Sequence, residues 1–271
     1  MIPALLRASH FAPTLAVTAF TSALAVGAGR GAGTVTVAAA VLSGQLLVGW
    51  NNDYIDRARD ARAGRTDKPI ATGEVGARTV LIASVAAAGA CVVLSLLAGW
   101  RAGVVHLVAV AVALAYNRWL KLSVLSVVPY VVSFGALPAF VSLGARGHPL
   151  PPGGSVIAAA LLAAGAHFVN TLPDVRADAM TGVRGLPQRL GPTRSVIAGT
   201  TLLLSSAGLI AATSDRSLGP LGWLLTSIAA GTAIAVGWTA ASGRMRLAWT
   251  LSLVTAASTV VLYLVRGERL A

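Results

Sequence analysis

The sequence predicts an all-α membrane protein with about nine transmembrane helices, and three observations support this fold class. Apolar residues make up 56% of the 271 residues, and the mean hydropathy is +0.77. Charged residues contribute only 11%, whereas soluble domains average about 25%. The apolar residues also form continuous runs of roughly 20 residues, the length of a helix that spans a bilayer. Together these observations exclude a soluble globular domain and a disordered chain.

Nine apolar runs follow one another along the chain, and clusters of Gly and Pro such as 147–154 mark most of the joints. The runs are 9–29, 33–52, 78–99, 102–117, 122–143, 154–175, 194–213, 219–241 and 246–265. They are continuously apolar, whereas the strands of a membrane β-barrel would alternate apolar and polar residues. The first run is interpreted as a signal-anchor, because only Arg7 precedes it and no small-residue cleavage site separates it from the second run.

The basic residues are distributed unevenly between the two ends of the predicted helices. Fifteen of the 21 Lys and Arg residues lie at the N-terminus or after the even-numbered runs, and six lie at the opposite ends. The positive-inside rule therefore places the N-terminus in the cytoplasm and the C-terminus outside, and we expect a bacterial plasma-membrane protein. The net charge of +12 belongs to these loops, so it does not indicate nucleic-acid binding. The single cysteine, Cys91, excludes a disulfide framework and a cysteine-based metal site.

Seven of the nine acidic residues lie on the predicted cytoplasmic side, and most of them belong to two groups with one spacing. Each group has an Asn followed by two Asp at intervals of four residues, and the two groups are 118 positions apart. The groups are Asn52, Asp56 and Asp60, and Asn170, Asp174 and Asp178. Such a pattern is typical of membrane proteins with duplicated halves. We therefore interpret 1–271 as one domain with a weak internal repeat, its halves being about 1–118 and 119–271.

These two triads indicate a magnesium site. A spacing of four residues places side chains along one stripe of a helix, advancing about 40° per step. Two facing stripes of carboxylates would repel each other unless cations lay between them. Mg²⁺ prefers oxygen ligands and commonly combines one or two carboxylates with substrate phosphates. All six triad residues are therefore candidate metal ligands, and Asp53 could join them from the flank.

Basic residues interleaved with the acids indicate that a diphosphate is held as well. They are Arg57, Arg62, Arg65, Lys68, Arg176 and Arg184. A diphosphate clamped by Mg²⁺ and arginine becomes a good leaving group, and the apolar surroundings suit an isoprenoid tail. The sequence therefore predicts ionisation of an allylic prenyl diphosphate, with the four triad aspartates as catalytic residues. Aromatic side chains near the same helix ends could stabilise the carbocation: Trp50, Tyr54, Tyr116 and Trp119.

The two motifs resemble the signatures of the UbiA-type intramembrane prenyltransferases. Asn52-Asp53-x2-Asp56-x3-Asp60, followed by 65–73, is similar to the first signature, and Asp174-x3-Asp178, followed by 182–191, is similar to the second. The resemblance covers nearly the whole chain and departs at Gly185, where a threonine is usual. It implies nine helices around a central cavity with a cap of cytoplasmic loops. It also implies substrate-binding roles for Arg7, Asn52, Asp53, Arg65, Lys68, Tyr116, Lys121, Asn170 and Arg184.

The acceptor that captures the carbocation is the open part of this prediction. His167 lies one turn before Asn170 and His10 one turn after Arg7, so both are candidates for contact with an acceptor, and His167 is included among the substrate-binding residues. An arginine fork suits an acidic acceptor, so we expect transfer to an aromatic or similarly electron-rich compound. A cyclase of the same family, which needs no acceptor, is the alternative.

Two other classes of membrane protein fit less well. A CDP-alcohol phosphatidyltransferase also uses membrane aspartates and Mg²⁺, but its signature requires an Asp-Gly dipeptide that this chain lacks. A secondary transporter would fit the duplicated halves, but its coupling sites lie near the middle of the membrane. The acids here lie at helix ends.

Overall fold

The computed structural model describes residues 2–175, 178, 182–213 and 218–266. In these residues the regular structure is entirely helical, so the predicted all-α fold class is confirmed. The α-helices, in chain order, are α1 Ile2–Ala8, α2 Phe11–Gly27, α3 Gly33–Arg62, α4 Ala77–Leu97, α5 Trp100–Arg118, α6 Val128–Leu143, α7 Gly153–Thr171, α8 Leu186–Ala212, α9 Pro220–Ala241 and α10 Met245–Val265. Short 3-10 turns span Leu120–Leu122, Val124–Val127 and Leu172–Asp174.

Eight of the described helices, α3 to α10, are long and apolar enough to cross a membrane. The helices α1 and α2 form a further pair that is bent by 69°, so the described part of the chain has eight spans, or nine if this pair counts as one. The break falls at His10, whose φ is 55°. This value lies in the left-handed region, and an α-helix of L-residues cannot continue through a residue in that conformation. The prediction of about nine spans agrees with this count, and the chain is an integral membrane protein.

The helix α3 is longer than the apolar run that predicted it. The run ends at residue 52, but the helix continues to Arg62. Its last turns are held by local side-chain contacts, since Asp56 pairs with Arg59 one turn later and Arg62 donates to the carbonyl of Ala58 at 3.1 Å. The first triad therefore lies along one stripe of one helix, as its spacing predicts.

The second triad does not lie on one continuous α-helix, and the prediction of a single stripe is wrong there. The helix α7 ends at Thr171, and a 3-10 turn, Leu172–Asp174, follows. Pro173 has no backbone N–H to donate to the preceding turn, so the regular helix cannot run through it undisturbed. Asn170 thus belongs to α7, Asp174 to the 3-10 turn, and Asp178 to the segment after it.

Two further boundaries differ from the apolar runs. The helix α6 begins at Val128, and the run from residue 122 to that point forms 3-10 turns. The helix α8 begins at Leu186, before the predicted start at residue 194, and it is kinked at Gly191, where φ is 77° and ψ is 169°. The hydropathy pattern does not detect this start, because the first turns of α8 carry polar residues.

Successive helices pack against one another around the bundle, and α10 returns to contact α2. Glycines allow neighbouring helices to approach each other closely. A Cβ on Gly165 of α7 would lie only 2.9 Å from the carbonyl oxygen of Gly199 on α8. Small residues drive such packing in membranes, where lipid is as apolar as the side chains. The largest buried core lies away from the aspartates, around Val37, Val41 and Phe140. The aspartate end of the bundle encloses a cavity instead.

Candidate active site

A cavity of about 480 Å³ opens among α2, α3, α5, α6 and the end of α7. Its inner wall combines apolar and aromatic side chains with a few uncharged polar ones, and its mouth is lined by charged and amide side chains. The polar residues of the wall are Ser9, His10, Thr14, Gln45, Asn52, Asp56, Arg59, Asp60, Arg65, Asp67, Lys68, Tyr116, Asn117, Lys121, Tyr130, Ser133, Asn170, Thr171, Asp174, Asp178 and Gln188. All six members of the two triads are among them, although residues 60 and 170 are far apart in the chain.

Two cations bind the central residue of the first triad. Both oxygens of Asp56 are paired, one with the Lys121 ammonium and the other with the Arg59 guanidinium, each at 2.5 Å. The side chains of Asp56 and Lys121 are each only 7% exposed. Asp60 is also buried, but it has no ion pair within contact distance in the described residues. Asn52 donates to the Asn117 side chain at 3.2 Å, which anchors α3 against α5.

Burial and charge act against each other at Lys121. Burial lowers the pKa of the Lys121 ammonium below its ordinary value, and the Asp56 carboxylate opposes that shift. The 3-10 turn Leu120–Leu122 carries this lysine back towards α3 after the end of α5. Such a buried cation beside a cavity is well placed to bind an anion that enters.

The second triad is tied to the loop after α3 by Arg65. Its guanidinium contacts Asp174 at 3.1 Å and forms a bidentate pair with Asp67, with both distances 2.8 Å. The Arg65 guanidinium lowers the pKa of the Asp67 carboxyl to about 2. Asp178 accepts from the Gln188 amide at 2.7 Å, and burial raises the pKa of the Asp178 carboxyl above its ordinary value. The two triads thus face each other across one cavity, with arginine between them.

The sequence model of the UbiA prenyltransferase family matches residues 11–226. This chain belongs to the UbiA prenyltransferase family. The digeranylgeranylglyceryl phosphate synthase of Natronomonas pharaonis is 29% identical over 199 residues, which cover 70% of this chain and 69% of the relative. The family and this relative indicate that the protein is a prenyltransferase.

Solved structures have the same fold. The apo UbiA homolog from Aeropyrum pernix K1 superposes with a TM-score of 0.74 at 23% identity, covering 92% of this chain and 97% of that one. The UbiA homolog from Archaeoglobus fulgidus bound to GPP and Mg²⁺ gives a TM-score of 0.70 at 17% identity, covering 96% and 99%. At such identities the likeness establishes the fold. The helical bundle described above is therefore a UbiA fold.

In this UbiA-family protein, Asp53 does not line the cavity. Its side chain is 2% exposed and contacts the Lys68 ammonium at 2.7 Å and the His10 ring at 3.1 Å. Lys68 and His10 do line the cavity, and their nitrogens are 3.1 Å apart. The break between α1 and α2 brings His10 to this position. Asp53 therefore lies behind the wall and holds two wall residues.

Three other candidates also lie away from the cavity wall. Arg7 pairs with Glu74 at the surface, and Arg184 is exposed.

His167 is 1% exposed and lies behind Tyr130, with the two ring centroids 4.3 Å apart. Ser126 contacts the His167 Nε2 atom at 3.3 Å, and Nδ1 has no hydrogen-bond partner in the described residues. Arg176 lies outside the described residues.

The aromatic wall differs from the sequence expectation. Tyr116 lines the cavity, but Trp50, Tyr54 and Trp119 do not. The sequence analysis missed Tyr130 and Phe134, which line the cavity from α6 and have parallel rings 6.3 Å apart. It also missed Arg59 and Gln188. The spacing of four residues between Tyr130 and Phe134 was the available signal, because it places both rings on one helix face.

The oxygen donors of the cavity suit Mg²⁺. Carboxylate and amide oxygens are the hard ligands that this cation prefers, and the two triads contribute four such carboxylates and two such amides to the cavity wall. Within the described residues, no three acidic, His or Cys side chains converge closely enough to hold a metal by themselves. The donor set therefore fits a cation that shares its coordination with phosphate oxygens and water.

Proposed function

We propose that this prenyltransferase is Mg²⁺-dependent and transfers a prenyl group from an allylic prenyl diphosphate to an acceptor within the membrane. One observation carries the proposal: the six triad residues line a single cavity whose mouth is charged and whose inner wall, in the described residues, carries no charged side chain. A homologue of the same fold binds GPP and Mg²⁺, which supports the same ligand chemistry here. The candidate metal ligands are Asn52, Asp56, Asp60, Asn170, Asp174 and Asp178.

The residues at the mouth would bind and orient the diphosphate. Bound Mg²⁺ would neutralise charge on the phosphates and so make the diphosphate a better leaving group. Lys121 and Arg59 would turn from Asp56 to the phosphate oxygens, and Arg65 would supply a bidentate contact from the other side. Because the site excludes water, each contact between these cationic side chains and the phosphate oxygens is stronger than it would be in solvent.

Ionisation breaks the bond between C1 of the prenyl group and the diphosphate oxygen, and the electron pair leaves with the diphosphate. The allylic cation would lie against Tyr116, Tyr130 and Phe134, whose ring faces attract positive charge. The acceptor supplies the electron pair for the new bond to C1 and then loses a proton. The apolar wall keeps water from capturing the cation first.

The acceptor is proposed to be an anionic molecule that approaches from the mouth. His10 and Lys68 would bind its acidic group, since Asp53 holds both at the cavity wall. An aromatic carboxylate is the acceptor expected from the sequence, and the name of the Natronomonas relative points to a phosphorylated glycerol derivative. Both compounds have an anionic group and a nucleophile, so either could occupy this position. A panel that contains both types of acceptor distinguishes them. The cyclase alternative requires neither.

The test is diphosphate release by the purified full-length protein, with products identified by mass spectrometry. Geranyl and farnesyl diphosphate are supplied with Mg²⁺ or EDTA, and with no acceptor, an aromatic acid or a glycerol phosphate lipid. We expect Mg²⁺-dependent release that accelerates with one acceptor and yields a prenylated mass. Asp174→Ala should lose activity, whereas Glu74→Gln, which removes a surface carboxylate, should retain it. Full activity in EDTA would overturn the metal assignment, and rapid formation of a cyclic hydrocarbon without acceptor would establish the cyclase.

We also propose that the whole chain forms one domain and that the cavity mouth faces the cytoplasm of a bacterial cell. The excess of basic residues at this end supports the orientation.

A further inference from the structure

We propose that Asn117 is a positioning residue for metal binding, because it fixes the side-chain amide of Asn52 with the oxygen turned to the cavity. The inference rests on the proposed function, in which Asn52 is a candidate metal ligand, and it assigns the residue that makes this ligand usable. No sequence pattern singles out Asn117, since it belongs to neither triad.

An asparagine side chain can bind a metal ion only through its oxygen. The amide has one oxygen that accepts hydrogen bonds and one nitrogen that donates two, and its two ends have nearly the same shape. A half-turn of the Asn52 amide would therefore present N–H groups to a cation. The four triad aspartates do not have this restriction, because either oxygen of a carboxylate can bind. A neighbour must select one of the two orientations of Asn52.

The orientation of Asn117 itself is decided by its contacts with α3. Asn117 is 2% exposed, and its Nδ2 atom lies 2.9 Å from the Val48 carbonyl oxygen and 3.3 Å from Asn51 Oδ1. A backbone carbonyl can only accept a hydrogen bond, so the Asn117 atom that faces Val48 must be the nitrogen. The reverse orientation would press two buried acceptor oxygens together without a proton between them.

The orientation of Asn117 then determines that of Asn52. Both amide protons of Asn117 are directed to Val48 and Asn51, so its Oδ1 atom accepts from the Asn52 Nδ2 atom at 3.2 Å. The Asn52 Oδ1 atom is therefore turned away from Asn117. Asn52 lines the cavity together with Asp56, and none of the described residues donates a hydrogen bond to its oxygen. That oxygen thus remains available to a cation or to water bound to one.

The same hydrogen bonds join α5 to α3, so a positioning role has to be separated from a purely structural one. A structural role predicts a lower Tm and an unchanged metal affinity of the folded protein. Residues that hydrogen-bond to metal ligands typically contribute about 10- to 100-fold to metal affinity. Asn52→Asp removes the need for orientation, since both terminal atoms of the side chain are then oxygens. A positioning role therefore predicts that metal affinity depends on Asn117 only while residue 52 is asparagine.

Binding of Mn²⁺, a paramagnetic ion with the same charge and ligand preference as Mg²⁺, tests the inference without turnover. The purified full-length protein is titrated with Mn²⁺ at a fixed concentration of inorganic diphosphate, and the bound ion is measured by its EPR signal. Asn117→Leu keeps a branched side chain but has no hydrogen-bonding atom, so we expect it to weaken Mn²⁺ binding about tenfold or more. In a chain that carries Asn52→Asp, the same leucine substitution should leave Mn²⁺ binding unchanged.

Two further variants complete the experiment. Ser206→Ala is the matched control, because Ser206 is 0% exposed and donates to the Ala158 carbonyl at 2.8 Å near the far end of α8. Its loss removes an interhelical hydrogen bond outside the cavity wall and should leave Mn²⁺ affinity unchanged. Asn117→Ser serves if the leucine variant fails to fold. Its single proton cannot replace both donated bonds, so Mn²⁺ affinity should again fall.

The outcomes separate the inference from the function on which it rests. Equal Mn²⁺ affinities of the wild type and the folded Asn117 variants would overturn the inference and leave the proposed function intact. An equal loss of affinity in the Asn52→Asp background would do the same, because Asn117 would then act through packing alone. If the wild-type protein failed to bind Mn²⁺ with diphosphate, the metal assignment would fall together with the inference.

Discussion

Replacement of Lys121 by methionine tests how the charged mouth is held together. The change removes the ammonium that pairs with Asp56 while keeping an apolar stem of similar length. Both side chains of the pair are 7% exposed, and loss of one partner of a buried pair costs about 3–5 kcal/mol. Arg59 still pairs with the other oxygen of Asp56. We therefore expect a cost near the lower limit, about 3 kcal/mol, or a Tm decrease of roughly 6–12 °C.

The same substitution should impair turnover, because Lys121 is proposed to bind the departing diphosphate. Loss of one such electrostatic contact typically reduces kcat by about 10²–10³-fold. The assays are thermal unfolding in detergent and Mg²⁺-dependent diphosphate release. Arg118→Met is the matched control, since Arg118 is exposed at the end of α5, three residues before Lys121. Asp56→Asn, alone and combined with Lys121→Met, completes a double-mutant cycle.

Wild-type Tm and turnover in Lys121→Met would refute this reasoning. Effects of the two substitutions that add to within about 0.5 kcal/mol would also refute it, because contacting residues should be coupled.

Three further predictions concern the metal, the packing and the orientation. EDTA should abolish turnover and Mg²⁺ restore it, and Asp60→Ala and Asp178→Ala should each lower kcat/KM by about 10²–10³-fold. Gly49→Ala should lower the Tm, because its Cβ would lie 2.2 Å from the Ser9 carbonyl oxygen and overpacking costs about 1–3 kcal/mol. Gly89→Ala should not, since nothing lies within 4 Å of that Cβ. A C-terminal alkaline phosphatase fusion should be active, because the C-terminus is predicted to be outside.

Each of these predictions has a contradicting result. Near-normal kinetics in either aspartate variant would remove that residue from the proposed site. Equal Tm values for the two glycine variants would mean that the break between α1 and α2, at Ser9, does not pack closely on α3. A C-terminal fusion that is active only as a cytoplasmic reporter would reverse the proposed orientation.

The sequence determined the helical class and predicted the main chemistry, because both depend on patterns among residues that are close together in the chain. Continuous apolar runs of membrane length leave little choice but helices, since backbone polar groups must be paired within the segment. The spacing of Asn52, Asp56 and Asp60 predicts a common helix face, and α3 has that face. A single pattern repeated 118 residues later also indicated that two distant groups act together.

The sequence could not decide which side chains reach the cavity. Asp53 adjoins Asn52, yet it lies behind the wall and holds His10 and Lys68. His167 is one turn from Asn170 but packs behind Tyr130. The direction of a side chain depends on how each helix is rotated against its neighbours, and no local pattern records that rotation.

Only the tertiary structure decided the extent of the site. The contact between Arg65 and Asp174 joins residues that are 109 positions apart, and the cavity wall is made of residues from α2, α3, α5, α6 and α7. Pro173 changes the path of the second triad by removing one backbone donor, which the spacing of the aspartates alone conceals. Long-range packing sets such features because they arise from the closure of the bundle, whereas helix periodicity depends only on near neighbours in the chain.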